Sequence, residues 1–255
     1  MPTIDLNCDL GESYGAYRIG MDQEVIPYIT SANIACGYHA GDPVVMERTA
    51  AMCRAHGVCA GAHPGFPDLM GFGRRRMDIS PEEAAAYVIY QVGAMRAFCD
   101  AAGIRLRHVK LHGALYNMAG ADDELALAIC RAIKRVDRSL ILLALSGSAM
   151  VRAAEETGLS CASEVFADRS YMPDGSLMPR KMAGAMIEDE ELAIQRVIRM
   201  AKEGVVTASD GTDIPIRADS VCVHGDGPKA LEFVKKIRIG LEKSGIEVRP
   251  FGMGL

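Results

Sequence analysis

Short apolar runs alternate with longer amphipathic stretches from one end of the chain to the other, a rhythm that restricts the fold to repeated strand and helix units around a parallel sheet. Four of the six histidines sit where such a run meets turn residues. His39 closes Ile34-Ala35-Cys36-Gly37-Tyr38-His39, and His63 lies in Cys59-Ala60-Gly61-Ala62-His63-Pro64-Gly65. His112 follows Val109-Lys110-Leu111, and His224 follows Val221-Cys222-Val223. The carboxyl ends of parallel strands open on one side, so these imidazoles are expected to converge although they are far apart in sequence. Asp9 and Glu12 follow the first run, Thr3-Ile4-Asp5-Leu6-Asn7-Cys8, and are expected on the same face.

A length of 255 residues suits one α/β barrel, for which about 250 is typical, and the chain is read as a single domain over 1–255. Strands are expected at Thr3 to Asn7, Ser31 to Cys36, Val58 to Ala62, Arg107 to Leu111, Leu140 to Leu143, Cys161 to Phe166 and Ser220 to Val223, with Glu247 to Pro250 a short additional one. Helix starts are marked by Asp42-Pro43 and by Ser80-Pro81 with Glu83 at the capping-box position. Asp210-Gly211 reads as the turn of a hairpin over Val205 to Arg217. The segment Asp168 to Arg180, with Pro173-Asp174-Gly175, reads as an excursion over the carboxyl face, anchored by an Asp168–Arg169 ion pair.

A hydrophobic share of 49 % and a charged share of 24 % argue for a globular protein and against disorder. With 28 basic and 33 acidic side chains the net charge is −5, which offers no field for nucleic acid or anionic membrane. No run approaches the roughly 18 apolar residues of a membrane span, and no signal-like segment opens the chain. The eight cysteines never form a C-x-x-C pair and sit mostly in apolar runs, which reads as reduced thiols in a cytoplasmic protein.

Seven blocks together resemble the LamB/YcsF family. They are Asp5-Leu6-Asn7-Cys8-Asp9-Leu10-Gly11-Glu12, Ser31 to Asp42, Gly61-Ala62-His63-Pro64-Gly65-Phe66-Pro67-Asp68, Gly71-Phe72-Gly73-Arg74-Arg75, His112-Gly113-Ala114-Leu115-Tyr116-Asn117, Glu164-Val165-Phe166-Ala167-Asp168-Arg169 and Cys222-Val223-His224-Gly225-Asp226. The resemblance implies a seven-stranded β/α (TIM-like) barrel akin to the glycoside hydrolase/deacetylase superfamily. It also implies the role of the A component in a prokaryotic ATP-dependent 5-oxoprolinase, which opens 5-oxo-L-proline to L-glutamate together with subunits B and C. The chain has no G-x-x-x-x-G-K-[ST] and no kinase-like set, so ATP is expected to act in the full complex, with the partners activating the ring and this barrel opening it.

Lactam opening needs an activated water, a base and groups that stabilise an oxyanion. The catalytic candidates are Asp9 as general base, Glu12, His39, His63, His112 and His224. Asn7 and Asn33 are candidate donors to the lactam carbonyl or carboxylate, and Arg74 and Arg75 suit a carboxylate or phosphate. Lys110 lies two residues before His112 and is expected to point the same way. His108 is read as structural and facing the opposite rim, and His56 as a helix-end cation. A divalent metal would find candidate ligands in Asp9, His39 and His63, the set found in related barrel deacetylases. Two other readings stay open: a stand-alone metal-dependent deacetylase or amidohydrolase, and a non-catalytic partner protein.

Overall fold

The structure, a computed structural model, describes residues 1–223 and 228–252. The chain runs β1 (Thr3–Leu10), α1 (Asp22–Val25), β2 (Ser31–Ala35), α2 (Pro43–His56), β3 (Cys59–His63), α3 (Pro81–Ala101), β4 (Leu106–Val109), α4 (Gly113–Gly120), α5 (Asp123–Val136), β5 (Ile141–Leu145), α6 (Ala149–Thr157) and β6 (Cys161–Phe166). It continues with α7 (Glu190–Glu203), β7 (Val205–Thr207), β8 (Asp213–Pro215), β9 (Ser220–Val223), α8 (Pro228–Lys243) and β10 (Glu247–Val248). Strands β1 to β6 pair in order, β6 pairs with β9, and β9 returns to β1, which closes a seven-stranded parallel barrel. The short β10 joins only Thr3 and Ile4 at the opening of β1, and β7 and β8 form the expected antiparallel hairpin.

The helix signals operate as their chemistry requires. Asp42 accepts from the amides of Val44 and Val45 with Pro43 in the first turn. Ser80 and Glu83 form the reciprocal capping box that starts α3. Helix α4 has no counterpart in the sequence periodicity. Its eight residues begin and end in glycine and lack a polar cap, since His112 occupies the N-cap position. Among the described residues no helix is long and apolar enough to cross a membrane, and all eight cysteines are free.

Alternation along each strand divides the interior in two. Ile4, Leu6, Cys8 and Leu10 of β1 join Ile34, Ala60, Ala62, Val109 and Leu142 in the apolar layer between strands and helices. The intervening residues point into the bore, where barrels of this type ordinarily carry branched apolar side chains. Here many of them, from β1, β2, β4, β6 and β9, are polar and arranged in tiers. The lowest holds Asp5, which accepts from Thr30 Oγ1 and Ser31 Oγ, each at 2.6 Å, and from Ser220 Oγ. Above it, Asn7 donates to Ser220 Oγ at 2.7 Å, Asn33 donates to Asn7 Oδ1 at 2.8 Å, and His108 Nε2 lies 2.8 Å from Asn33 Oδ1. Gly61 makes room for this tier: a Cβ there would fall 2.1 Å from His108 Nε2. His108 therefore does not face the opposite rim. It is fully buried in the bore, and its parity, shared with Lys110, directs it inward.

Burial raises the Asp5 carboxyl from 3.8 to about 6, against the lowering effect of the Ser220, Ser31 and Thr30 hydroxyls. The folded chain then holds this proton more tightly than the unfolded chain does. The stability due to neutral Asp5 is full below about pH 4 and is lost as pH rises through about 6. A gap of roughly two pH units corresponds to about 3 kcal/mol. Asp5→Asn is expected to be more stable than the parent at pH 8, by up to about 3 kcal/mol, with the advantage gone at pH 4. Urea unfolding at both pH values checks this, and a variant less stable than the parent at pH 8 would show that the charge is well accommodated.

Candidate active site

The carboxyl ends of β1 to β4 and the turns that follow deliver the polar groups of the mouth. Asp9 ends the inward row of β1 beside Asn33 of β2 in register, and Glu12 follows the left-handed Gly11 at φ 71°. His39 hangs from the turn after β2, closed by Gly37 N–H to the Ala40 carbonyl at 2.8 Å. His63 is the last residue of β3, and His112 precedes α4. The rings of His39 and His112 stack at 3.6 Å between centroids and 1° between planes, with His63 edge-on to both at 5.5 and 4.9 Å.

Lys110 is the electrostatic centre. Its ammonium is buried and lies 3.0 Å from Asp9 Oδ1, 2.8 Å from Glu164 Oε1, 3.3 Å from Asn7 Oδ1 and 3.2 Å from Cys222 Sγ. Burial opposes the charge, but the Asp9 and Glu164 carboxylates outweigh it and hold the lysine pKa well above its usual value. Glu164 is itself fully buried and accepts from the Tyr116 hydroxyl at 2.7 Å. Asp9 also accepts from Asn33 Nδ2 at 2.8 Å and sits 3.3 Å from His63 Nε2. Its side chain is 22 % exposed, against at most 8 % for Glu12, His39, His63, Lys110, His112 and Glu164, so a molecule entering the mouth meets Asp9 first.

Burial keeps the His39 and His112 imidazoles neutral. Burial, then His112 and His63, lower His39 well below its usual value, and burial followed by His63 takes His112 down to about 3. His108 falls to about 3 through burial and the Lys110 charge. Burial pushes the Cys222 thiol well above its usual value despite Lys110, so it stays protonated and is no nucleophile.

The loop over 64–77 lies on this cluster. Buried Gln91 holds it by accepting from Gly65 N–H and donating to the Gly65 carbonyl, both at 2.9 Å. A Cβ on Gly73 would come within 2.8 Å of both His112 Cδ2 and His39 Cβ. Among the described residues Phe72 is the one non-glycine with positive φ, at 54°, and its carbonyl meets His112 Nε2 at 2.8 Å. A left-handed phenylalanine beside a polar cluster is strain held by the surroundings, a common mark of functional sites.

His39, His63, His112, Glu12, Asp9 and Lys110 do converge. Asn7 and Asn33 do not face the mouth: both are buried beneath Asp9, with their amides bonded to neighbours in the bore, so they position Asp9 and Lys110 rather than offer donors to a ligand. Arg75 is tied to Asp68 within the loop, whereas Arg74 is exposed and lies over the Phe72 ring at 5.0 Å. Arg169 donates to the Met178 carbonyl at 2.6 Å, which fastens the excursion to itself. His224 lies outside the described residues. The groups that could hold a metal are Glu12, His39, His63 and His112, whose ligand atoms all lie within 4.8 Å of one another. The expected trio is thus reshaped: His39 and His63 belong to this cluster, while Asp9 stands beside it, engaged by Lys110. Glu164 and Tyr116 were not among the sequence candidates. A lone glutamate at an inward position of an otherwise apolar run was the available signal for the first.

The profile of the LamB/YcsF family matches residues 4–254. The chain belongs to the LamB/YcsF family. It is 62 % identical over 250 residues to the A component of the 5-oxoprolinase of Clostridium beijerinckii, covering 98 % of each chain. It is 56 % identical over 245 residues to the protein of the same name from Bacillus subtilis, covering 96 % of this chain and 95 % of that one. The crystal structure of a lactam utilization protein from Thermus thermophilus superposes with a TM-score of 0.93 at 48 % identity, over 98 % of this chain and 100 % of the other. A peptidoglycan deacetylase from Bacillus subtilis shares the fold alone, with a TM-score of 0.50 at 12 % identity. This LamB/YcsF chain is thus a closed α/β barrel, a fold it shares with that deacetylase.

Proposed function

We propose that this chain is the barrel component of an ATP-dependent 5-oxoprolinase that opens 5-oxo-L-proline to L-glutamate, working in the cytoplasm as one domain over 1–255 with partner subunits B and C. The observation that carries the chemistry is the Asp9–Lys110–Glu164 arrangement at the barrel mouth, one carboxylate reaching solvent and the ammonium held immediately beneath it. The names borne by relatives more than half identical over nearly the full length support the choice of a lactam as substrate.

A lactam is a poor electrophile, and transfer of the ATP γ-phosphoryl group to its carbonyl oxygen makes the ring carbon reactive. That step belongs to the partners, consistent with the lack of a phosphate-binding loop in this sequence. Water then attacks the ring carbon while Asp9 takes its proton. The Lys110 ammonium offsets the negative charge that develops on oxygen, in a site where little water competes. Cleavage of the C–N bond, with a proton delivered to the ring nitrogen, leaves an acyl phosphate. A second water releases phosphate and glutamate. Arg74 is the cation suited to the substrate carboxylate, since Arg75 is already paired. Lys110 and Asn33, which donate to Asp9 Oδ1, orient that base, and His224 remains a candidate from sequence alone.

Reconstitution tests the reading. The chain with subunits B and C, ATP and 5-oxo-L-proline should yield glutamate and ADP together, and omission of any one component should abolish glutamate. Turnover of acetylated sugars by the isolated chain without ATP would instead favour a stand-alone deacetylase.

A further inference from the structure

The protons of two of the three mouth imidazoles, His63 and His112, can be placed from their partners. A neutral imidazole carries one N–H, and a backbone carbonyl only accepts. His63 Nδ1 lies 2.8 Å from the Lys110 carbonyl, so its proton is on Nδ1 and Nε2 is bare. His112 Nε2 lies 2.8 Å from the Phe72 carbonyl, so its proton is on Nε2 and Nδ1 is bare. Those two bare nitrogens face each other at 3.0 Å. His39 is completely buried with neither ring nitrogen hydrogen-bonded, and its Nε2 is 3.4 Å from Glu12 Oε1. The same Glu12 oxygen is 3.7 Å from His112 Nδ1. Two lone pairs and a carboxylate oxygen thus face one dry space, and a cation placed there would stabilise them together. A single proton could bridge His63 and His112 but would leave His39 without a partner.

We propose that Glu12, His39, His63 and His112 form a binding site for a divalent cation, with a three-imidazole, one-carboxylate donor set suited to Zn²⁺. The spacing supports this independently. Bonds of 2.0–2.1 Å in a tetrahedron put ligand atoms about 3.4 Å apart; three of the six separations here are 3.0, 3.4 and 3.7 Å, and all lie within 4.8 Å. The Lys110 and Phe72 carbonyls act as the outer partners that fix which nitrogen of each ring is bare. Asp9 stands outside this set of four: Lys110 and Asn33 hold its Oδ1, and its Oδ2 lies 3.3 Å from His63 Nε2 at the edge of the cluster. The ion ties the end of β3 to the turns after β1, β2 and β4 beneath the loop over 64–77, and this holds whichever substrate the mouth accepts.

Calorimetric titration of Zn²⁺ into the full chain, stripped of metal, tests the site without reference to turnover. One saturable equivalent is expected, and Co²⁺ in its place should give the intense visible absorption of tetrahedral coordination. His39→Ala and Glu12→Gln should each weaken Zn²⁺ binding by more than the roughly 10- to 100-fold that loss of a supporting residue produces. Asp9→Asn should leave both the stoichiometry and the Co²⁺ spectrum unchanged. Absence of saturable binding by the unaltered chain, or loss of binding in Asp9→Asn with His39→Ala unaffected, overturns the proposal.

Discussion

Lys110→Met is expected to remove at least 10²- to 10³-fold from the turnover of the reconstituted complex and to destabilise the barrel by about 3–5 kcal/mol. The two losses have separate causes. Activity falls because the cation beneath the exposed carboxylate is gone. Stability falls because Glu164, with no exposure, loses the ammonium 2.8 Å away, and a lone buried carboxylate is expensive. A double variant separates the two causes. Lys110→Met with Glu164→Gln removes the stranded charge, so most of the stability should return while activity stays low. Denaturant unfolding of the parent, the two single variants and the double variant measures the coupling. A Lys110→Met chain as stable as the parent would mean that the Asp9, Glu164 and Lys110 charges are not balanced as described.

Asp9→Asn should behave in the opposite sense. Asparagine keeps an oxygen for Lys110 and Asn33, so the fold should retain its stability to within about 1 kcal/mol. What it loses is the ability to take a proton from water, and kcat should fall by about 10²- to 10⁴-fold. The pair of variants thus divides the mouth into a cation that supports both structure and chemistry and a carboxylate that serves chemistry alone. Initial rates of glutamate formation, read beside unfolding midpoints, check it; retention of full kcat in Asp9→Asn would assign the base elsewhere.

The architecture was legible because strand ends, caps and turns are local. Asp42-Pro43, the Ser80/Glu83 box and Asp210-Gly211 each act within a few residues, and all three occur where the sequence places them. The gathering of His39, His63 and His112 was legible for a topological reason, since parallel strands deliver their ends to one side. What escaped was set by partners distant in sequence. Asn7, Asn33 and His108 look like strand-end or rim residues until the barrel closes and turns them on one another across gaps of 26 and 75 positions. Glu164 reads as one charge in an apolar run until Lys110 and Tyr116 stand opposite it. Helix α4 escaped because its terminal glycines read as loop, whereas Gly113, at φ 57°, is there for the close approach of the Gly73 carbonyl.

The central claim is that the polar barrel mouth receives and opens the cyclic amide. A second opening exists to compare it with, a cavity of about 170 Å³ at the other end of the bore, lined by Thr3, Asp5, Ile141, Arg217 and Arg249 among others. The most direct measurement is a structure of the assembled complex with 5-oxo-L-proline bound. The expected result is the lactam carbonyl oxygen about 3 Å from the Lys110 ammonium, with Asp9 reaching the ring carbon through one water and the substrate carboxylate toward Arg74. A lactam seated between Arg217 and Arg249 at the lower rim, with the mouth untouched, would contradict it.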